Sequence, residues 1–211
     1  MTVKRRQGRP PMIENAHDRI LNEASILFGR QGYENSSISD VANSIGVSKA
    51  AIFHYFPTKQ AIYDAIIVRT LRGLHETVTA AVEREEPGLS RLHRFMIAHA
   101  TYFEENFWGF VTMLVGYGGM ASPTLKDEAL KLRDHYETFL RGIIAEGIAA
   151  GELKEVDVAS TGRAVLSLLN WMVRWFKPGQ GSAAAEVAET YYRLIVSGLT
   201  NTIQENPHVP R

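Results

Sequence analysis

The chain of 211 residues contains no cysteine, which excludes disulfides, thiolate metal sites and cysteine nucleophiles together. That absence favours a reducing compartment, and the expected location is the cytoplasm. No apolar run approaches the roughly 18 residues a membrane span requires, so no membrane partner is expected. The N-terminus is basic, but no apolar segment follows it, and it does not read as a secretory signal. Catalytic signatures are missing as well: there is no His-Glu-x-x-His, Gly-x-Ser-x-Gly, P-loop or Ser-x-x-Lys. His93 and His99 lack the i, i+4 spacing of a helical metal pair, and His99 and His135 read as polar residues satisfied in or near a core. Neither an enzyme nor a metal or other cofactor is expected; an all-α enzyme is the rival class. No segment alternates with period two, so no strand is expected and the fold class is all-α.

Net charge is also absent, 23 basic against 23 acidic residues, yet its distribution is uneven. Residues 1–60 hold eight Lys/Arg against five Asp/Glu, and the remainder holds fifteen against eighteen. A basic head on an acidic body is the footprint of a nucleic-acid reader. An apolar fraction of 45% allows a sizeable core.

What is present is concentrated in Ser37–Lys59. Ser37 and Asp40 have the spacing of a capping box, and Ile38, Val41, Ala42 and Ile45 then form one apolar face of a short helix. Gly46 stands where that helix must stop, because glycine enters the left-handed conformation without steric cost. Val47 plugs the turn and Ser48 offers a second N-cap. A second short helix spans about Ala50–Phe56, with Ile52 and Phe56 on its buried side, and Pro57 ends it. Helix, glycine turn and helix make a helix-turn-helix.

Ala42, Gly46-Val47-Ser48 and the run Ile52-Phe53-His54-Tyr55-Phe56-Pro57-Thr58-Lys59 resemble the DNA-binding domain of the tetracycline-repressor (TetR) family, over roughly residues 16–67. The resemblance implies a nine-helix repressor: a DNA-binding head over residues 1–60, with a basic N-terminal arm, and a ligand-binding and dimerisation body over 61–211. It implies that the second short helix lies in the major groove of a double-stranded operator. Ser37, Ser48, Lys49, Ala50, Ala51, Phe53, His54, Tyr55, Thr58 and Lys59 are its candidate contacts. Tyr55 is expected on phosphate and His54 on phosphate or a base edge; Ala50 and Ala51 permit close approach to thymine methyls. Phe53 departs from the tyrosine many relatives carry, and with it goes a phenolic hydrogen bond. Thr58 and Lys59 open the next helix, where free N–H groups welcome an anion. Arg6 and Arg9 in the arm are either minor-groove or phosphate contacts, or part of a solvated tail.

Helical patterns are expected at about Asn15–Gln31, from Thr58 to about Glu85, and at Leu89–Asn106, Phe107–Tyr117, Pro123–Gly151, Val156–Phe176 and Ala183–Gln204. By the same resemblance the last two pair with a second copy of the chain through stripes that include Gly162, Val165, Leu169, Leu194 and Gly198, giving a homodimer. Tyr102, Phe103, Phe107, Phe110, Met113, Leu114, Tyr117, Trp171 and Trp175 are candidate walls of an apolar effector cavity. The run Trp171-Met172-Val173-Arg174-Trp175-Phe176-Lys177-Pro178-Gly179 is similar to the end of the penultimate helix in a subgroup that senses acyl-coenzyme A thioesters. Arg174, with Lys177 and more weakly Arg141, would then meet the phosphates, the alternative for Arg174 being an interface carboxylate. The implied function is a dimeric repressor released by a small hydrophobic effector, an acyl-coenzyme A thioester first. A sensor of amphipathic drugs is the runner-up, and would want Glu104 or Glu105 facing the aromatics. An architectural binder using only the basic arm leaves the aromatic body unexplained.

Overall fold

The computed structural model describes residues 16–82, 87–116 and 119–199; the arm with Arg6 and Arg9, and Tyr117, lie outside these. The described residues form nine α-helices and no strand: α1 Ala16–Gln31, α2 Ile38–Ile45, α3 Lys49–Tyr55, α4 Lys59–Ala81, α5 Gly88–Glu105, α6 Phe107–Gly116, α7 Pro123–Ala149, α8 Val158–Trp171 and α9 Ala184–Leu199.

The head closes through local caps. Ser37 Oγ accepts the Asp40 N–H and the Asp40 carboxylate accepts the Ser37 N–H, so both halves of the capping box are made. Gly46 ends α2 at φ 72°, a conformation that penalises any side chain. Ser48 and Thr58 cap α3 and α4 by accepting from the N–H groups of Ala51 and Ala61. Ile20, Leu21, Ala24, Val41, Ala42, Ile52 and Ile62 are buried together and hold α1 to α4 around one small core.

α4 runs unbroken from head to body and packs against α5, α6 and α7, while α6 also lies along α1. α9 packs mainly on α5 and α8 mainly on α7. The interior of the body is built by Phe95, Met96, Phe103, Phe110, Leu140, Ile143 and Ile144, all fully buried.

The penultimate helix is shorter than its apolar pattern suggests. α8 ends at Trp171 and tightens into a 3-10 turn at Met172–Arg174. There the Met172 carbonyl accepts the N–H groups of both Trp175 and Phe176. Met172 and Phe176 are drawn into the core while Trp171, Arg174 and Trp175 are left outside. No helix among the described residues is long and apolar enough to cross a membrane.

Candidate nucleic-acid interface and the body behind it

α3 is only seven residues long, too short to stand alone, and Ile52 and Phe56 pin it to the head. Its other side faces outward: Lys49, Ala50, Phe53, His54 and Tyr55 are exposed, and Ala51 is half-buried. Ser37, Ser48 and Thr58 are exposed around its rim. Of the ten predicted head residues, all but the half-buried Ala51 and Lys59 are exposed. The Lys49 ammonium lies 5.7 Å from the centre of the Phe53 ring, and the His54 and Tyr55 rings meet edge to face at 5.3 Å. Ser48 and Thr58 accept a cap hydrogen bond with oxygen and keep the hydroxyl proton for a further acceptor. Ser37 differs, because its hydroxyl donates to Asp40 at 2.7 Å. The same Ser37 hydrogen bonds hold the exposed Asp40 carboxyl below its ordinary range.

Lys59 is more than a surface charge. Its ammonium donates to the Tyr33 carbonyl at 2.5 Å and to the Ser36 carbonyl at 2.9 Å, and sits 3.9 Å from the centre of the Tyr33 ring. It staples α4 to the loop that positions α2, with one N–H remaining for an anion.

Behind this staple runs a polar chain that sequence patterns do not reveal. The Tyr33 hydroxyl donates to Gln60 Oε1, and Gln60 Nε2 donates to Asp64 Oδ1 and to the Gly119 carbonyl. Asp64 is 1% exposed and accepts the N–H groups of Ala121 and Ser122. The segment entering α7 is thereby tied to the loop between α1 and α2. A second joint lies between α1 and α6, where the Arg30 guanidinium stacks 5.2 Å from the centre of the Trp108 ring.

The predicted ligand residues divide among three places. Phe103, Phe107, Phe110 and Met113 come together inside the body, Phe103 and Phe110 edge to face at 5.2 Å, with Phe176 at 5.4 Å from Phe103. Tyr102 instead lines a cavity of about 370 Å³ between head and body, together with Asp18, Arg69, Arg72, Glu76 and Asn106. Leu114, Trp171, Arg174 and Trp175 lie at the surface, Arg174 stacked 5.4 Å from the centre of the Trp171 ring. These residues do not converge on one cavity. A larger open groove of about 710 Å³ lies elsewhere, between α5 and α9, lined by His93, Arg94, Ile97 and Tyr192. His93 pairs there with Glu189 at 2.6 Å. Lys177 is exposed, and Arg141 is paired with Glu137.

On the last two helices, Gly162, Val165 and Leu169 turn inward, and the nearest neighbours of a Cβ on Gly162 would be Arg141, Ile144 and Leu140 of the same chain. Leu168, Trp171, Leu194 and Gly198 turn outward. Glu104 is also accounted for: its carboxylate accepts the N–H of Ala184 at 2.8 Å and caps the start of α9.

Comparison with known proteins places these features in a family. The profile described as "Bacterial regulatory proteins, tetR family" matches residues 20–66, and the profile described as "Tetracyclin repressor-like, C-terminal domain" matches residues 85–199. The crystal structure of PfmR, a TetR family transcriptional regulator from Thermus thermophilus, is 47% identical. It aligns over 85% of this chain and 98% of its own with a TM-score of 0.81. The transcriptional repressor KstR2 of Mycolicibacterium smegmatis is 23% identical over 206 residues, 92% of this chain and 95% of that protein. AibR, solved in complex with isovaleryl coenzyme A and operator DNA, is 20% identical over 84% of this chain and 96% of its own, with a TM-score of 0.72.

Proposed function

The chain belongs to the tetracycline-repressor family of bacterial regulatory proteins, as a DNA-binding transcriptional repressor and not an enzyme, and from that premise we propose how its surfaces divide the task. Residues 1–60 are the reading head and residues 61–211 the sensing and pairing body. Two copies pair through the outward faces of α8 and α9, where Leu168, Trp171 and Leu194 leave large apolar area in water. Each copy then sets one α3 into successive major grooves of a two-fold operator. Tyr55, Ser48, Thr58 and the remaining N–H of Lys59 hold phosphate, while Ala50, Ala51, Phe53 and His54 face the bases. Arg6 and Arg9 precede the head and add phosphate or minor-groove contact.

The effector is a small hydrophobic molecule, and an acyl-coenzyme A thioester is the class we favour. Two things support it: the relative AibR was solved with isovaleryl coenzyme A, and the body interior is an aromatic and methionine-rich mass suited to an acyl chain. The drug-sensing alternative needs Glu104 or Glu105 among the aromatics; Glu104 is instead committed to the start of α9 and Glu105 is exposed. Ligand would favour a body geometry that α6 and the Asp64 chain pass to the head, changing the spacing of the two α3 helices and lowering operator affinity by the coupling free energy.

The observation that carries this reading is the outward face of α3, held by buried Ile52 and Phe56 yet covered by nothing in its own chain among the described residues. The test is selection of a duplex from random sequence, then mobility-shift titration with isovaleryl-coenzyme A and decanoyl-coenzyme A added. A two-fold consensus released by one thioester is expected; sequence-independent binding unaffected by either would overturn the reading.

A further inference from the structure

His99 of α5 is 1% exposed, and its Nδ1 lies 2.8 Å from the Tyr136 hydroxyl of α7. Its Nε2 is buried without a hydrogen-bond partner among the described residues. The rings around it are Phe95, Phe110 and Tyr136, with Phe110 at 5.8 Å between ring centres. Burial lowers the imidazole pKa to about 3 and raises that of the Tyr136 phenol well above its ordinary value, so both groups are neutral at physiological pH.

The tautomer follows from counting orphans. If Tyr136 donates its proton to Nδ1, the phenol is satisfied and only the Nε2–H is left over. If Nδ1–H donates instead, the phenol proton and the Nε2 lone pair are both stranded. Each buried unpaired polar atom carries an uncompensated desolvation penalty, so the arrangement with one fewer orphan wins and Nε2 carries a proton. A buried N–H of this kind is useful to a molecule that takes in something with an acceptor.

We propose that His99 Nε2–H, oriented by Tyr136, is the donor that holds the acyl carbonyl of the effector inside the α5–α6–α7 core. The assignment rests on the acyl-thioester reading above and adds a selection rule to it. The donor is uncharged and its ring neighbours are aromatic, so it pairs with a neutral carbonyl oxygen and offers a carboxylate no countercharge for its lost hydration. Thioester is accepted and the free fatty acid refused. Met96 and Met113, unbranched and buried in the same core, supply the side-chain movement that admits the chain. Tyr136 is a positioning residue: it fixes which ring nitrogen bears the proton.

The test uses the full chain and two matched probes. Decanoyl-coenzyme A carries the carbonyl; S-decyl-coenzyme A, its thioether, lacks it and keeps everything else. Calorimetric titration of the parent should show the thioester binding about tenfold tighter than the thioether, one hydrogen bond's worth, and decanoate not measurably bound. His99→Leu strands the Tyr136 hydroxyl, so the paired variant His99→Leu/Tyr136→Phe is made beside it, replacing both partners by apolar groups. That double variant should stay folded, bind the thioether as the parent does, and bind the two probes within about twofold of each other. In the parent, the His99 Nε2–H proton resonance should move downfield with the thioester and not with the thioether. Equal binding of both probes by the parent overturns the role of His99 and leaves the effector class standing. Failure of the parent to bind either probe overturns both. A double variant that still prefers the thioester tenfold also overturns it.

Discussion

Gly29 of α1 lies directly under Trp108 of α6: a Cβ built on Gly29 would stand 2.4 Å from the indole Cε3. Arg30 closes over the same ring. Head and body are therefore seated against each other by shape, through an element that also carries Phe110 into the interior. Gly29→Ala must displace a fused ring that cannot fold away. It is expected to cost about 1–3 kcal/mol, read as a lower midpoint in urea. An unchanged midpoint would mean that α1 and α6 yield freely and that this joint transmits little.

Asp64 makes the other joint. Its carboxylate is the acceptor for Ser122 N–H at 2.8 Å, Ala121 N–H at 3.4 Å and Gln60 Nε2 at 2.8 Å. Asp64→Ala strands those donors and is expected to destabilise by about 1–3 kcal/mol. A milder variant, Gln60→Ala, breaks the chain between Asp64 and Tyr33 while leaving the loop before α7 capped. We expect it to keep operator binding and lose part of the response to effector, measured as the shift in operator affinity on adding decanoyl-coenzyme A. A full response in Gln60→Ala would remove the polar chain from the coupling.

Acid should loosen the fold through three hydrogen-bonded carboxylates. Asp40, Asp157 and Glu189 are each held below the ordinary carboxylate range by hydrogen bonds, Asp40 by Ser37, Asp157 by Ser160 and Glu189 by His93 first. The unfolded chain therefore binds more protons than the native one below about pH 4. The stabilisation from these groups is present above that range and is lost as pH falls through their folded values. Asp40→Asn should flatten the fall in melting temperature between about pH 4 and pH 2. Ser37→Ala should cost about 1 kcal/mol at neutral pH. An Asp40→Asn profile that overlays the parent would show the box contributes nothing to acid sensitivity.

The head was legible in the sequence because its signals are local. Ser37 with Asp40, Gly46, Ser48 and Thr58 act within one helical turn of themselves, so their spacing alone specifies caps and stops. The body was legible only as helices. Periodicity says that Leu169 and Trp171 lie on an apolar helix, but not that one faces its own core and the other water; that depends on which helix lies alongside. The break after Trp171 was hidden because burial of Met172, a tertiary effect, tightens the turn. Asp64 and its partners lie 57 and 58 residues apart and carry no periodic signature. The structural role of Lys59 is hidden for the same reason: its carbonyl partners at Tyr33 and Ser36 are remote in sequence.

That double engagement of Lys59 shapes what its removal should do. With Tyr55 on phosphate as proposed, Tyr55→Phe deletes one donor at an exposed position and should weaken operator binding about three- to tenfold, evenly across sequence variants. Lys59→Ala should also weaken binding evenly and reduce the salt slope by about one, but with a loss of thermal stability that Tyr55→Phe does not share. Mobility shifts at several salt concentrations, with melting curves on the same samples, separate the two. If either variant binds as tightly as the parent, the docking of α3 is wrong.

The proposed pairing surface rests on two exposed side chains of α8 and α9. Trp171 is 64% exposed and Leu194 65%, values that suit neither residue in a chain working alone and that a second copy would bring down. Leu194→Arg places a charge on that surface and leaves the fold beneath it untouched, since the buried Ala184 and Ala188 of α9 are not altered. Sedimentation at micromolar concentration should then report single copies where the parent reports pairs. Operator affinity should fall by a factor of about 100 or more, because two linked heads bind as one and two separate heads do not. The summed tryptophan emission, to which the exposed Trp171 and Trp175 contribute, should lie further to the red in the variant than in the parent, with the helical circular dichroism of the two unchanged. A Leu194→Arg variant that still sediments as a pair and still grips operator would move the dimer to another face, and with it the geometry that sets the distance between the two α3 helices.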